Sequence, residues 1–233
     1  MQRQRVWDLP IRLFHWLLVA SIAFAYVSGQ LGGNLIDWHA RAGFLILGLV
    51  VFRLVWGLVG TPTARFATFV RGPAAIAAYL RGEWRGIGHN PLGALSVLGL
   101  LALIGAQAAT GLFTNDDIAF QGPFADWVGK ELSDRFHGWH ALLQNALLVL
   151  IGVHVAAIVF YARIKKENLV KPMITGWTEA PATGTPAPLR GGGVVAFVVS
   201  ALIAGAATWA AAGGLLPPPP AAAAQPAAAS PAW

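Results

Sequence analysis

The sequence has no cysteine among its 233 residues. This absence excludes disulfide bonds, thiolate metal sites, cysteine-ligated iron–sulfur clusters and covalently attached c-type haem. Charged residues are also scarce, at 11 % of the chain, where an ordinary soluble domain carries about 25 %. Any redox chemistry must therefore use ligands other than cysteine thiolate, and the low charge argues against a soluble fold.

Apolar residues exceed what a single core of this size can bury. They make up 56 % of the chain, and the mean hydropathy is +0.60, which predicts a bilayer as the solvent. Five stretches approach or exceed the length of a membrane helix, at 13–29, 40–60, 93–113, 139–161 and 194–212. The first could be read as a signal peptide, but four further spans and a histidine within it favour a membrane helix.

The basic residues are distributed unevenly between the two sides of these spans. Twelve of the 16 fall on one side: Arg3, Arg5, Arg12, Arg65, Arg71, Arg81, Arg85, Arg163, Lys165, Lys166, Lys171 and Arg190. The positive-inside rule therefore predicts a cytoplasmic N-terminus and a periplasmic C-terminal tail. Because the cations flank spans instead of forming a patch on a soluble domain, the net charge of +6 does not indicate nucleic-acid binding.

Four histidines lie within or at the ends of the spans, where ionisable residues are costly and usually functional. His140 and His154 are 14 residues apart, which places them on one helix face and about 21 Å apart along its axis. Because successive spans alternate in direction, His154 lies level with His15 in the cytoplasmic half, and His140 lies level with His39 in the outer half. The sequence thus predicts two histidine pairs stacked along a helix bundle.

Two facing imidazoles at each of two depths are typical of the axial ligands of two non-covalent b-type haems. Zinc fits poorly, because four ligands would have to converge at one level. A single membrane histidine is often only a hydrogen-bond partner between helices, but four histidines paired by depth and face favour haem. Since protein would fill both axial positions, no iron site is left open for substrate, which favours electron transfer over oxygen chemistry.

Two arginines fit the same arrangement. Arg41 lies near the outer level, and Arg53 follows His39 by 14 residues, on the same helix face near the inner level. We expect both to bind haem propionates by bidentate pairing. For Arg53, snorkelling to the cytoplasmic interface is the alternative.

Two further histidines fall just outside the spans, and the sequence allows several roles for each of them. His89 precedes the third span and could cap that helix, contact an inner propionate or line a quinone pocket. His137 comes three residues before His140 and could replace it as a ligand. Its 17-residue spacing to His154, however, places it about 60° around the helix from the face that His140 and His154 share.

Several short motifs accompany the histidines. They are Val6-Trp7-Asp8 with Arg12 and His15-Trp16, Trp38-His39 with Gly43, the segment from His140 to His154 with Asn145 and Leu147-Leu148, and Asn168-Leu169-Val170-Lys171-Pro172-Met173-Ile174-Thr175-Gly176. Together they resemble the bacterial cytochrome b561 / nickel-hydrogenase b-type cytochrome family. The resemblance implies a four-helix membrane core with two b haems, ligated by the same four histidines, that moves electrons between quinone and a protein partner. One departure is Ala141, where the family often has an acid.

The predicted fold is an all-α integral membrane protein, a four-helix haem-binding bundle with a fifth C-terminal transmembrane helix. We expect the family-like domain at 1–177, a cytoplasmic linker at 178–193, the additional helix at 194–212 and a Pro/Ala-rich low-complexity tail at 213–233.

The leading functional hypothesis is an inner-membrane di-haem cytochrome of a respiratory chain. Its partners would be membrane quinone and a redox protein, either a c-type cytochrome or a hydrogenase or dehydrogenase module, and the sequence is also compatible with a homodimer. A proton-coupled transporter or channel with a histidine relay is an alternative. The lack of a carboxylate deep in any span argues against it. A quinone reductase that acts on a small oxidant or reductant such as superoxide is another alternative. We assign no catalytic residue, and whether the chain is itself an enzyme stays open.

Overall fold

The computed structural model describes residues 2–84, 88–118, 120–180 and 191–217. The helices are α1 (Leu9–Leu31), α2 (Ile36–Val59), α3 (Phe66–Phe69), α4 (Pro73–Leu80), α5 (Pro91–Gly111), α6 (Ala125–Val128), α7 (Lys130–Phe160), α8 (Val170–Thr175) and α9 (Val194–Trp209); the strands are β1 (Gln2–Arg5) and β2 (Trp177–Ala180). Five helices in the described ranges, α1, α2, α5, α7 and α9, belong to segments long and apolar enough to cross a membrane. This confirms the predicted all-α membrane fold with a fifth C-terminal helix.

The fourth spanning helix is longer than the sequence pattern predicted. The predicted span began at 139, but α7 begins at Lys130 and so includes His137 as well as His140. Its first turns are charged, with Lys130 bound to Asp134 and Arg135 bound to Glu131 one turn away. Such pairs support a helix in water, whereas a hydropathy window detects only the part that lies in hydrocarbon.

Polar caps fix where two of the helices begin. Asp8 caps α1 by accepting a hydrogen bond from the Ile11 amide (2.7 Å), and Asn90 caps α5 by accepting one from the Gly93 amide (2.7 Å). A proline stands in the first turn of each helix, where its missing N–H costs nothing. We call the end of the bundle where α1 begins the inner end, and the end where α1 finishes the outer end.

Helix α2 is the centre of the bundle, since it packs against α1, α5 and α9. The additional helix α9 is closely docked on it: Phe197 makes edge contacts with Phe52 and Trp56, which stack on each other with ring centres 5.9 Å apart. A Cβ on Gly48 of α2 would meet the hydroxyl of Thr208. The fifth helix is therefore part of the packed core and not a loose anchor.

The chain after α7 returns to the start of α1 at the inner end. Strands β1 and β2 pair antiparallel, with Arg3 opposite Glu179. The Arg12 Nη1 donates to the Ile174 carbonyl (2.5 Å) and the Trp16 Nε1 donates to the Met173 carbonyl (3.3 Å). Residues 178–180, which we had predicted to be linker, are thus strand, because they pair with a segment that is distant in sequence. Residues 181–190 of that linker and 218–233 of the predicted tail lie outside the described ranges.

Candidate cofactor site

The outer histidine pair consists of His39 at the start of α2 and His140 on α7. Their ring centres are 6.1 Å apart, with the ring planes at 81°. Two metal–imidazole bonds of about 2 Å, with each nitrogen about 1 Å from its ring centre, require roughly this separation. The structure therefore brings together the two residues that the sequence predicted to lie at the outer level, at a spacing that fits two axial ligands.

Hydrogen bonds fix the tautomers of both outer histidines. The Nδ1 of His39 donates to the Ala25 carbonyl (2.7 Å). The Nδ1 of His140 lies 3.1 Å from the Thr110 hydroxyl, which donates its own proton to the Gln107 carbonyl (2.9 Å) and so accepts from the histidine. With Nδ1 protonated on both rings, Nε2 carries the lone pair, which is the form that ligates a metal.

The inner pair consists of His15 on α1 and His154 on α7, which are close enough to interact electrostatically. Its hydrogen bonds are weaker than those of the outer pair. The Nδ1 of His154 lies 3.5 Å from the Ser96 hydroxyl, at the limit for a hydrogen bond, and the buried Nδ1 of His15 has no partner in the described part of the chain. The two pairs therefore differ in how firmly the protein orients their rings.

Both pairs lie between helices that scarcely pack against each other. Helix α7 packs on α5, but it makes little direct contact with α1 or α2, which carry the opposing histidines. A flat group held between two imidazoles needs such a gap. The donor set, the ring spacing and the gaps between helices all fit a bis-imidazole haem.

Small residues keep the space beside the outer pair open. A Cβ on Gly29 would lie 2.8 Å from the Nδ1 of His39, and a Cβ on Gly111 would lie 3.2 Å from the Cε1 of His140. The His39 ring could not keep its present position beside a larger side chain at Gly29, whereas the His140 ring would shift only slightly beside one at Gly111.

We expect Gly29→Ala to weaken cofactor retention more than Gly111→Ala. The new methyl group of the first variant displaces the His39 ring and breaks its bond to Ala25, and loss of such a supporting bond costs about 10–100-fold in affinity. Alanine also favours helix over glycine by about 1 kcal/mol, so the same variant should not destabilise the empty protein. Haem retained per chain after dilution measures the first effect, and thermal unfolding of haem-free protein measures the second. Equal retention in both variants would contradict the expectation.

The two arginines predicted to bind propionates lie in different surroundings. Arg53 is buried, with 3 % of its surface exposed, and its Nη1 has no partner among the described residues. Its guanidinium lies over the Phe66 ring at 4.6 Å. Arg41 is exposed and lies over the Trp38 ring at 4.7 Å. Arg53 therefore offers a buried, unused donor, whereas Arg41 offers one at the surface.

Several residues of the site were not predicted, although a spacing of 14 residues could have indicated them. That spacing separates His15 from Gly29, Ser96 from Thr110 and, as predicted, His39 from Arg53 and His140 from His154. Each of the four core helices thus repeats its site residues at two depths on one face. Ser96, Thr110 and Gly29 were missed because small and hydroxyl residues are common in membrane helices and carry no charge signal.

The outer end of the bundle is acidic. Lys130 is bound to Asp117 and Asp134, and Arg135 to Glu131, so that both basic residues of this loop and helix start are paired. Asp126 adds a further carboxylate, hydrogen-bonded to the Gln121 side chain (2.7 Å). The surface next to the outer pair therefore carries net negative charge.

The comparisons with known proteins cover the same part of the chain. The family model described as prokaryotic cytochrome b561 matches residues 6–176. A relative from Azotobacter chroococcum mcd 1, named a probable Ni/Fe-hydrogenase B-type cytochrome subunit, is 27 % identical over 74 % of this chain and 87 % of its own length. A relative from Escherichia coli (strain K12) is named a probable Ni/Fe-hydrogenase 1 B-type cytochrome subunit. It is 22 % identical over 74 % of this chain and 89 % of its own length. No solved structure matches the chain.

Proposed function

This chain belongs to the prokaryotic cytochrome b561 family, and we propose that it binds two b haems and transfers electrons between membrane quinone and a redox protein partner. It is a multi-pass bacterial membrane b-type cytochrome of electron transfer. The proposal adds the number of haems, the four ligands, the partners and the orientation, with a cytoplasmic N-terminus and a periplasmic C-terminal tail.

The observation that carries the proposal is the outer pair, with ring centres 6.1 Å apart and both Nδ1 atoms engaged elsewhere. His39 and His140 would hold the outer haem through Nε2, and His15 and His154 would hold the inner one. When bound, haem supplies one-electron oxidation and reduction. With an imidazole from each helix holding the haem iron, the protein would leave no iron position for a substrate.

The remaining residues orient the group and neutralise its charge. Thr110 and the Ala25 carbonyl hold the outer imidazoles in the neutral tautomer that ligates. Arg53 offers its buried Nη1 to a carboxylate at the inner level. We propose that Arg41 performs the same role at the outer level, once its guanidinium leaves Trp38. The two ligands on α7 are about 21 Å apart along the helix, which spans most of the hydrocarbon thickness.

The partners follow from position and charge. Quinone is the mobile electron carrier of the bilayer, in which both sites lie. The relatives are named as subunits associated with Ni/Fe-hydrogenase, which supports a hydrogenase module as the protein partner, and a c-type cytochrome is the second candidate. The acidic outer end repels small anions, so we do not favour superoxide as the physiological substrate.

We expect the full-length chain, purified in detergent, to contain two non-covalent haems and to be reduced by a quinol. The pyridine-haemochrome assay with protein quantification gives the ratio, and stopped-flow absorbance after addition of a water-soluble quinol gives the reduction. A heat-treated sample is the control for chemical reduction of released haem. A stable protein without haem, or one with a single haem, would contradict the proposal.

A further inference from the structure

Unpaired buried donors are concentrated at the inner end. The Nη1 of Arg53 and the Nδ1 of His89 are both buried without a hydrogen-bond partner in the described part of the chain. A buried donor left unpaired costs free energy, so native structures rarely keep one without an unrecorded acceptor. An unpaired guanidinium N–H and an unpaired imidazole nitrogen at one end of the bundle indicate a missing polar partner there.

Arg53 and His89 lie on the same aromatic cluster. The ring of His89 is 4.5 Å from that of Phe69 and 4.6 Å from that of Trp7. The Arg53 guanidinium lies 5.9 Å from the Phe69 ring, and its positive charge lowers the pKa of His89. Both side chains therefore lie near the Phe69 ring, where one carboxylate would reach both.

Asp8 is the nearby carboxylate of the chain, but its oxygens are already used. It accepts from the Ile11 amide (2.7 Å), the Trp56 Nε1 (3.0 Å) and the Thr61 hydroxyl (2.5 Å). No ion pair joins it to Arg53 within the described residues. Among the described residues, none supplies the acceptor that Arg53 and His89 lack, and a haem propionate at the inner level would carry the required charge.

His89 also borders a cavity of about 190 Å³ at the surface of the inner end. Thr63, Thr68, Arg71 and Trp84 line this cavity with it, and Thr68 and Arg71 are exposed to solvent. One nitrogen of His89 is thus sealed in the interior, while the side chain as a whole reaches a cavity open to water. A residue in this position can pass a proton between the two.

We propose that His89 and Arg53 bind a carboxylate of the inner haem, and that His89 takes up a proton from the adjacent cavity when this haem is reduced. The inference rests on the proposed function. One electron arrives from quinol or from the redox partner, and one proton moves from water in the cavity to the imidazole, so that no net charge is added. Oxidation returns the proton to the cavity.

The charges around His89 determine the direction in which the potential of the inner haem changes with pH. Burial, and then the positive charge of Arg53, lower the pKa of His89 to about 4. The other charged groups nearby are Asp8, next to Trp7, and Arg71 at the cavity. A carboxylate beside His89 raises its pKa, and an added electron raises it further. His89 is therefore protonated more fully in the reduced state, and the potential of the inner haem falls as pH rises.

The test is an optical redox titration of the full-length protein between pH 5.5 and 8.5, for the wild type, His89→Gln and His137→Gln. The control His137 is exposed and belongs to the outer end. In the wild type we expect the reduction equilibrium of one haem to change by up to tenfold per pH unit, which is about 59 mV. His89→Gln should reduce this to less than threefold over the whole range, whereas the other haem and the control should follow the wild type.

Three outcomes would overturn the proposal: a wild type whose potentials are independent of pH, a His89→Gln variant with wild-type dependence, or a variant that loses only quinol oxidation. Loss of quinol oxidation alone would place His89 at a quinone-binding site. A wild type whose potentials do not depend on pH refutes the proposal whether or not the variant folds, and His89→Asn serves as a second substitution. A wild-type protein without haem would instead refute the proposed function.

Discussion

Replacing His140 with alanine is expected to reduce the haem content of the purified protein from two groups to one. The variant removes one of the two outer imidazoles, whereas His39 keeps its bond to Ala25 but cannot hold the group alone. Loss of a merely supporting residue costs about 10–100-fold, so we expect quinol-dependent electron transfer to fall by more than about 100-fold. The pyridine-haemochrome assay and low-temperature absorbance measure the loss.

The matched variant His15→Ala should remove the inner haem and leave the outer one. The double variant should contain none, and His137→Ala should keep both, because His137 makes no ring contact with His39 in the described structure. Two haems in His140→Ala with an unchanged spectrum would assign the outer ligand to another residue.

Replacing Asp8 with alanine is expected to lower the free energy of unfolding by about 3–5 kcal/mol. Asp8 is 4 % exposed and caps α1 while it accepts from the side chains of Trp56 and Thr61. Loss of the cap costs about 0.5–2 kcal/mol, and the two buried donors left unpaired cost about 1–3 kcal/mol each. Denaturant titration of the detergent-solubilised protein, followed by tryptophan fluorescence, measures the change.

Two further variants, one at Asp8 and one at an exposed aspartate, separate the contribution of the Asp8 hydrogen bonds from the general effect of removing a carboxylate. Asp8→Asn keeps one acceptor oxygen and should lose about half as much stability as the alanine variant, because the amide nitrogen cannot accept the hydrogen bonds of the oxygen that it replaces. Asp37, in the first turn of α2, is exposed, so Asp37→Ala should cost less than about 1 kcal/mol. If Asp8→Ala proved as stable as Asp37→Ala, the Asp8 bonds would contribute nothing to the fold.

The sequence was sufficient for the spans and for the approach of His39 to His140, because both depend on local patterns. Apolar length identifies a membrane helix, and alternation of direction assigns His15 and His154 to one level. The family match confirms the type of fold. The ligand roles of the histidines and of Arg41 and Arg53 stay predictions that the proposed variants test.

Contacts between distant segments could not be predicted in this way. The bonds from Asp8 to Trp56 and Thr61 join residues about 50 positions apart, and no periodicity indicates them. The sequence leaves the docking of α9 on α2 open for a different reason. It depends on small side chains such as Gly48, which give the same hydropathy signal whether they face lipid or another helix.

The absence of close packing between α7 and the helices that oppose it has a consequence for biogenesis. Both histidine pairs have one member on α7, the last of the four core helices to be synthesised. Neither pair is complete while the earlier helices enter the membrane, so a haem held between the members of a pair would be loaded only after α7 has been inserted.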